Sequence, residues 1–232
     1  MSFVLPPAPV PSVPVYGHAD ARFAVRRIYC VGRNYVEHAQ EMGFTGREPP
    51  FFFLKPADTV LAVREGETGE MHYPSLTHDL QHEVELVIAI GAGGREIAAR
   101  DALAHVWGYG VGLDMTRRDL QGEAKKQGRP WCIGKGFEQA APIGELRPAA
   151  DCRIDADTEI RLDVNGATRQ HSRIGKLIWS IPEIIEHVSK AWTLAPGDLI
   201  FTGTPAGVAA VVAGDVLEAS VAGVGSLRLK IV

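Results

Sequence analysis

The stretch HEVELVIAIG, residues 82–91, ends in an apolar run that reads as a buried strand, yet two glutamates sit at its entrance. Side chains alternate across a strand, so Glu83 and Glu85 share one face and lie close together. Like charges that near repel each other, and burial raises carboxyl pKa values unless a cation or hydrogen-bond donors hold both groups ionised. The pattern therefore calls for something positive between the two acids. A frayed strand end with solvated or arginine-paired carboxylates is the plain alternative.

The rest of the chain frames that strand in an α+β pattern. The opening is broken by Pro6, Pro7, Pro9, Pro11 and Pro14, which suits an extended arm over residues 1–22 better than a signal peptide. Residues 23–232 read as one domain. FAVRRIYCVG has a strand pattern, and RNYVEHAQEMG reads as a short helix closed by Gly43. FFFLKPADTVLAV reads as strand, turn, strand, and REIAARDALAHVWGY has helical spacing. GYGVGLD is a glycine-rich strand, after which Thr116 and Asp119, in capping-box spacing, start a helix just beyond Asp114. EIRLDVNGATRQ is a hairpin turning at Asn165-Gly166, and SIPEIIEHVSKAW is a helix capped by Ser180 and Glu183. DLIFTGTP, DVLEASVAG and SLRLKIV close the chain as short strands. Strand runs punctuated by isolated helices give an α+β roll or sandwich.

Several function classes fall away. A formal charge of -4 offers no attraction to a phosphate backbone, so nucleic acid is not an expected partner. Cys30, Cys132 and Cys152 are odd in number and lack C-x-x-C spacing, which argues against a disulfide framework and a zinc site. No stretch reaches the roughly 18 apolar residues of a membrane span, and a cytoplasmic protein is expected. The sequence contains neither G-x-S-x-G nor H-E-x-x-H. GAGGRE follows a strand as a dinucleotide loop does, but Glu96 stands where the third glycine is needed.

What survives is Glu83, Glu85 and Asp114, three hard oxygen ligands suited to Mg²⁺ or Mn²⁺. Lys55 in FLKPAD and Lys135 in IGKGF are flanked by apolar or glycine residues, unlike solvated lysines, with snorkelling from strand ends as the alternative. His38 and Glu41 lie three apart in the short helix, as a base and its orienting carboxylate would. His78 and His82 would match a metal pair only on a helix, but they lead into a strand and read as ordinary polar histidines.

Five blocks in order, YCVGRNYVEHAQEMG, PPFFFLKPAD, HEVELVIAIG, GYGVGLDMTRRDLQ and GDLIFTGTPAGV, resemble the fumarylacetoacetate hydrolase family from about Arg26 to the C-terminus. The resemblance implies a mixed β-sandwich roll with a short lid helix, usually a homodimer. It implies Glu83, Glu85 and Asp114 as the Mg²⁺ or Mn²⁺ ligands and His38 with Glu41 as a water-activating dyad. Lys135 and Gln121 match further catalytic positions, and Lys55, Arg118, Thr204 and Arg33 match substrate contacts. Gly136 and Glu138 depart from the pattern, where relatives often carry a bulkier residue and an aspartate.

The activity implied is metal-dependent hydrolysis of the carbon–carbon bond of an acylpyruvate, fumarylpyruvate foremost, in aromatic catabolism. Arg47 or Arg118 would hold the second carboxylate. Oxaloacetate decarboxylation and diene-dioate isomerisation are the neighbouring alternatives. More remote are a non-catalytic module binding metal and small acids, which would need neither His38 nor Glu41, and a hydrolase using Cys30 or Cys132. Cys30 falls in a predicted strand, where buried thiols are inert.

Overall fold

The computed structural model of the chain describes residues 3–36 and 47–232. At its centre lies the strand Val84–Ile90, buried at every position. Such a strand needs partners on both edges and cover on both faces. Val106–Leu113 pairs with it antiparallel on one side and Asp198–Phe201 on the other. The eight-stranded sheet runs Phe52–Lys55, Arg27–Val31, Asp198–Phe201, Val84–Ile90, Val106–Leu113, Ala141–Ile143, Val60–Ala62, with Arg147–Pro148 also on Val106–Leu113. Arg27–Val31 is parallel to Asp198–Phe201, and Ala141–Ile143 is parallel to Val60–Ala62, so the sheet is mixed.

The two faces of the central strand serve different cores. Leu86, Ile88 and Ile90 enter the main core, whereas Val87 and Ala89 enter a smaller one with Ile28, Cys30, Leu199 and Phe201. Parity therefore places Glu83 and Glu85 on the side of the smaller core. That core is sealed by Val13, fully buried in Ser12–Pro14, which pairs with Arg22–Ala24.

A five-stranded sheet covers the main core, in the order Ala167–Arg173, Glu159–Val164, Val216–Val221, Gly225–Ile231, Gly69–Met71. Its strands show the two-residue period of a half-buried sheet: Ile160, Leu162 and Val164, then Leu217, Ala219 and Val221, then Leu227, Leu229 and Ile231 all point inward. Helix Ile181–Ala191 packs Ile184, Ile185 and Val188 into the same core, and its Ser180–Glu183 capping box is formed. Asn165 and Gly166 both take positive φ, 53° and 75°, as a two-residue hairpin turn requires.

Three local expectations are corrected. Residues 99–105 form a 3₁₀ segment, Ala99–His105, and Trp107 and Tyr109 belong to the strand that follows, not to a helix. In that strand a Cβ at Gly108 would lie 2.2 Å from Arg147 O, and one at Gly112 would lie 2.6 Å from Phe201 Cε1. The glycines thus permit close approach of neighbouring segments, and their frequency disfavours a helix. Beyond Asp114, Thr116–Arg117 pairs with Leu80–Gln81, and the helix Arg118–Lys126 starts later than its capping pattern suggests. Asp119 instead accepts from the Thr77 hydroxyl at 2.6 Å and the His78 amide at 3.0 Å. FAVRRIYCVG splits into Arg22–Ala24 and Arg27–Val31. Most of the expected helix RNYVEHAQEMG, with His38 and Glu41, lies outside the described residues. Among those described, no helix is long and apolar enough to cross a membrane.

Candidate active site

Strand register assembles the carboxylates. Val84 stands opposite Leu113, and the Asp114 amide donates to Glu83 O at 2.9 Å, so the residue leaving one strand meets the two acids entering the next. Glu83, Glu85 and Asp114 are all buried, and each offers an oxygen within 4.8 Å of the others'.

Two buried lysines answer the charge. Lys135 ends the short helix Cys132–Lys135, and its Nζ donates to Glu83 Oε2 at 2.8 Å, Asp114 Oδ2 at 2.7 Å and Thr116 Oγ1 at 2.7 Å. Lys55 Nζ lies 2.8 Å from Asp114 Oδ1 and donates to the carbonyls of Met115 at 3.1 Å and Lys135 at 2.5 Å. Neither lysine snorkels, since both are about as buried as the core around them. Gly136, one of the two departures from the family pattern, packs tightly beside them: a Cβ there would lie 3.1 Å from Pro56 Cδ.

The environment splits the acids into two states. Burial works to raise Glu83, but the charges of Lys135 and Arg118 hold it well below the ordinary carboxylate range. Burial, with the neighbouring charges of Asp114 and Glu83, pushes Glu85 well above that range. Burial would lower Lys135, yet Asp114 and Glu83 raise it, so Lys135 is an ammonium that donates and supplies charge and is not a base.

Arg118 is committed, with Nε donating to Gln81 at 2.8 Å, Nη1 to Gln121 Oε1 at 2.6 Å and Nη2 to Glu83. Because Gln121 accepts through its oxygen, its NH₂ remains the available donor. The Thr204 hydroxyl donates to Val84 O at 2.8 Å and accepts from Gln170 Nε2 at 2.8 Å, so it braces the central strand from behind. Arg33 stacks over the Phe51 ring at 5.1 Å. Arg47 lies 4.2 Å over Trp179 and pairs with Glu183 near the surface. Cys30 is fully buried, and burial pushes its thiol well up, so it is inert as a nucleophile.

Sequence reasoning missed four contributors. Thr116 shares the parity of Asp114, which could have revealed it. The Gly203 amide donates to Glu85 Oε2 at 2.7 Å from within FTGTP, a block from which the sequence reading singles out Thr204 alone. Gln170 is a buried amide that also accepts from Val84 N at 3.1 Å and donates to Pro205 O, with nothing in the hairpin sequence to mark it. His82 is no ordinary polar histidine: it is fully buried with Nδ1 2.9 Å from Gln170 Oε1, and burial lowers its pKa, so the ring is neutral.

The donor set fits a hard divalent cation. It offers clustered carboxylate oxygens and no thiolate, and Asp114 Oδ1 finds no well-directed hydrogen-bond donor among the described residues. Glu85, pushed toward its neutral form by burial and by two adjacent acids, is the group a cation would relieve.

Residues 27–232 match the family model described as fumarylacetoacetate (FAA) hydrolase C-terminal. The chain belongs to the fumarylacetoacetate hydrolase family. Within that family it is similar to the fumarylpyruvate hydrolase of Pseudomonas aeruginosa, solved in complex with Mn²⁺ and pyruvate. The two share 50% identity and a TM-score of 0.97, covering 100% of this chain and 99% of the other. A structure described as a putative fumarylpyruvate hydrolase from Burkholderia cenocepacia shares 49% identity with a TM-score of 0.91, covering 100% and 98%. The mitochondrial oxaloacetate tautomerase FAHD1 of Rattus norvegicus is 42% identical over 206 residues, 89% of this chain and 91% of that protein.

Proposed function

We propose that this chain is a metal-dependent hydrolase that cleaves the carbon–carbon bond of an acylpyruvate, converting fumarylpyruvate and water to fumarate and pyruvate. The observation that carries this reading is the buried cluster of Glu83, Glu85 and Asp114 with Lys55 and Lys135 against it. Its charges favour a dianion. Three acids are offset by Lys55, Lys135 and Arg118, so a divalent ion leaves a net surplus of two positive charges. A diketo acid with two carboxylates neutralises that surplus, and the whole-chain likeness to fumarylpyruvate hydrolases points the same way.

Held by Glu83, Glu85 and Asp114, Mg²⁺ or Mn²⁺ would supply Lewis acidity toward the 2-oxo-carboxylate end of the substrate. In this reading His38, oriented by Glu41, takes a proton from water as the water oxygen bonds to the distal carbonyl carbon. The Gln121 NH₂ donates to the resulting oxyanion, and the Lys135 ammonium, whose three hydrogens go to Glu83, Asp114 and Thr116, stabilises it by its charge. On collapse the carbon–carbon bond breaks and its electron pair stays on the three-carbon fragment as an enolate, while the acyl fragment leaves as an acid. Lys55 offsets the enolate charge, and the proton held by His38 returns to the enolate carbon to give pyruvate and restore the base. The far carboxylate falls to Arg47 or Arg118, either of which would exchange a present partner for it, Glu183 for Arg47 and Gln81 or Glu83 for Arg118. Arg33 completes the substrate side, and Thr204, bonded to Val84 O and Gln170, supports it from behind the central strand. The reading extends to a homodimer in the cytoplasm, serving aromatic-compound catabolism, with residues 1–22 as an arm on a catalytic domain of residues 23–232.

The likeness to an oxaloacetate tautomerase supports a second reading, enolate chemistry on oxaloacetate without a water nucleophile. Purified protein assayed side by side with fumarylpyruvate, acetylpyruvate and oxaloacetate decides between them. The proposal expects the highest kcat/KM on fumarylpyruvate. A higher value on oxaloacetate would overturn it, and one on acetylpyruvate would remove the second carboxylate from the argument.

A further inference from the structure

Among the described residues, the Glu85 carboxylate is held by a single peptide whose orientation is set from the opposite side. Gly203 N donates to Glu85 Oε2 at 2.7 Å, and the carbonyl of that same peptide, Thr202 O, accepts from Asn34 Nδ2 at 2.8 Å. A trans peptide is planar with its N–H and C=O pointing in opposite directions, so whatever fixes the carbonyl also aims the N–H. The flanking residues leave little other freedom. Thr202 donates to Leu86 O through its amide at 3.1 Å and its hydroxyl at 2.9 Å, and Thr204 donates to Val84 O. Rotation of the intervening peptide is what remains, and Asn34 removes it.

Asn34 is itself locked. It is fully buried, its Oδ1 accepts the Trp179 amide at 2.7 Å, and its second Nδ2 hydrogen goes to Trp179 O at 3.0 Å. Reversing the side-chain amide would set its oxygen against two carbonyl oxygens, so only one orientation is satisfied. Gly203 has φ of +97°, and a Cβ there would lie 2.7 Å from Asn34 Cβ, so the loop and the asparagine fit only as a pair.

We propose that Asn34 is a positioning residue for the metal centre: by holding the Thr202–Gly203 peptide it aims the Gly203 N–H at Glu85 and presents that carboxylate to the ion. The proposal rests on the reading of Glu85 as a metal ligand. It is tested by titrating Mn²⁺ into metal-free protein, following free and bound ion by electron paramagnetic resonance. Asn34→Asp keeps the size of the side chain but turns an acceptor toward Thr202 O. Mn²⁺ affinity should fall by roughly 10- to 100-fold, the range for loss of groups that orient metal ligands. The line shape of the bound ion should change, while the metal-free variant still melts cooperatively. Trp179→Phe, which keeps the main-chain groups that Asn34 grips, should bind Mn²⁺ as wild type does. If the aspartate variant fails to fold, the uncharged and smaller Asn34→Ser carries the measurement. Wild-type affinity and line shape in a folded Asn34 variant, with binding lost in Glu85→Gln, would overturn the proposal and leave the metal assignment standing. Unchanged binding in Glu85→Gln would remove both.

Discussion

Lys135→Met separates what the lysine does for the fold from what it does for the reaction. The ammonium stands among Glu83, Asp114 and Thr116 at 2.7–2.8 Å, almost without solvent contact. Removing one partner from such a buried ionic group leaves uncompensated charge at a cost of about 3–5 kcal/mol. In a protein of this length each kcal/mol shifts Tm by roughly 2–4 °C, so metal-free Lys135→Met should melt about 6–20 °C below wild type. Mn²⁺ brings positive charge to the same carboxylates, so saturating ion should raise the variant's Tm by more than it raises that of wild type. At 100 times Kd the linkage alone contributes about 2.7 kcal/mol. Activity should not follow stability. Loss of a charge that stabilises the oxyanion costs about 10²- to 10³-fold in kcat, and the metal does not replace it. The assay is calorimetry with and without Mn²⁺, followed by fumarylpyruvate turnover at saturating ion. If the metal-free variant melts with wild type, or if Mn²⁺ stabilises both proteins equally, the account of Lys135 as counter-ion to the carboxylates is refuted.

Exhaustive chelation should abolish turnover, and Glu85→Ala should match chelated wild type; full activity with no metal found by elemental analysis would end the metal reading. His38→Ala should lose about 10²- to 10⁴-fold in kcat for acylpyruvate hydrolysis. It should still bind oxalate, a mimic of the chelating end, as wild type does, and hydrolysis near the wild-type rate would dismiss His38 as base. Asp119 gives a pH signature. Burial works to raise it, but the Thr77 hydroxyl and the His78 and Leu120 amides hold it below its ordinary value. Its contribution to stability is therefore present above the unfolded value, about 3.9, and is lost as pH falls through the depressed folded value. Melts of wild type and Asp119→Asn should converge on that acid side, and a gap that stays constant would contradict the sign.

The cluster of three carboxylates was the most legible part of the sequence, because two independent constraints met there. The alternation at Glu83 and Glu85 fixes their common face, and Asp114 closes a glycine-rich strand whose hairpin partner is the strand they open. Lys55 and Lys135 showed themselves by apolar company. The unread parts depend on contacts between distant segments. Trp107 and Tyr109 carry a helical spacing that the glycine stripe at 108, 110 and 112 overrides, because Arg147 and Phe201 pack against it from elsewhere in the chain. The capping pattern at Thr116 and Asp119 is locally sound, yet Leu80–Gln81 draws Thr116 into a strand pair. Gln170 and Asn34 are single polar residues whose importance comes wholly from what folds around them.

The central strand divides its side chains between two cores, and that division makes assembly of the site inseparable from folding. Slipping Val84–Ile90 by one residue against its neighbours would turn both glutamates into the main hydrophobic core and Leu86 and Ile88 out of it. A misregistered chain is therefore not an inactive version of this protein but an unstable one. Tolerance to change in length should follow the same line: one residue inserted between Glu83 and Ile90 destroys fold and site together. The connection of residues 91–105 can lengthen or shorten without reversing the inside and outside of either strand.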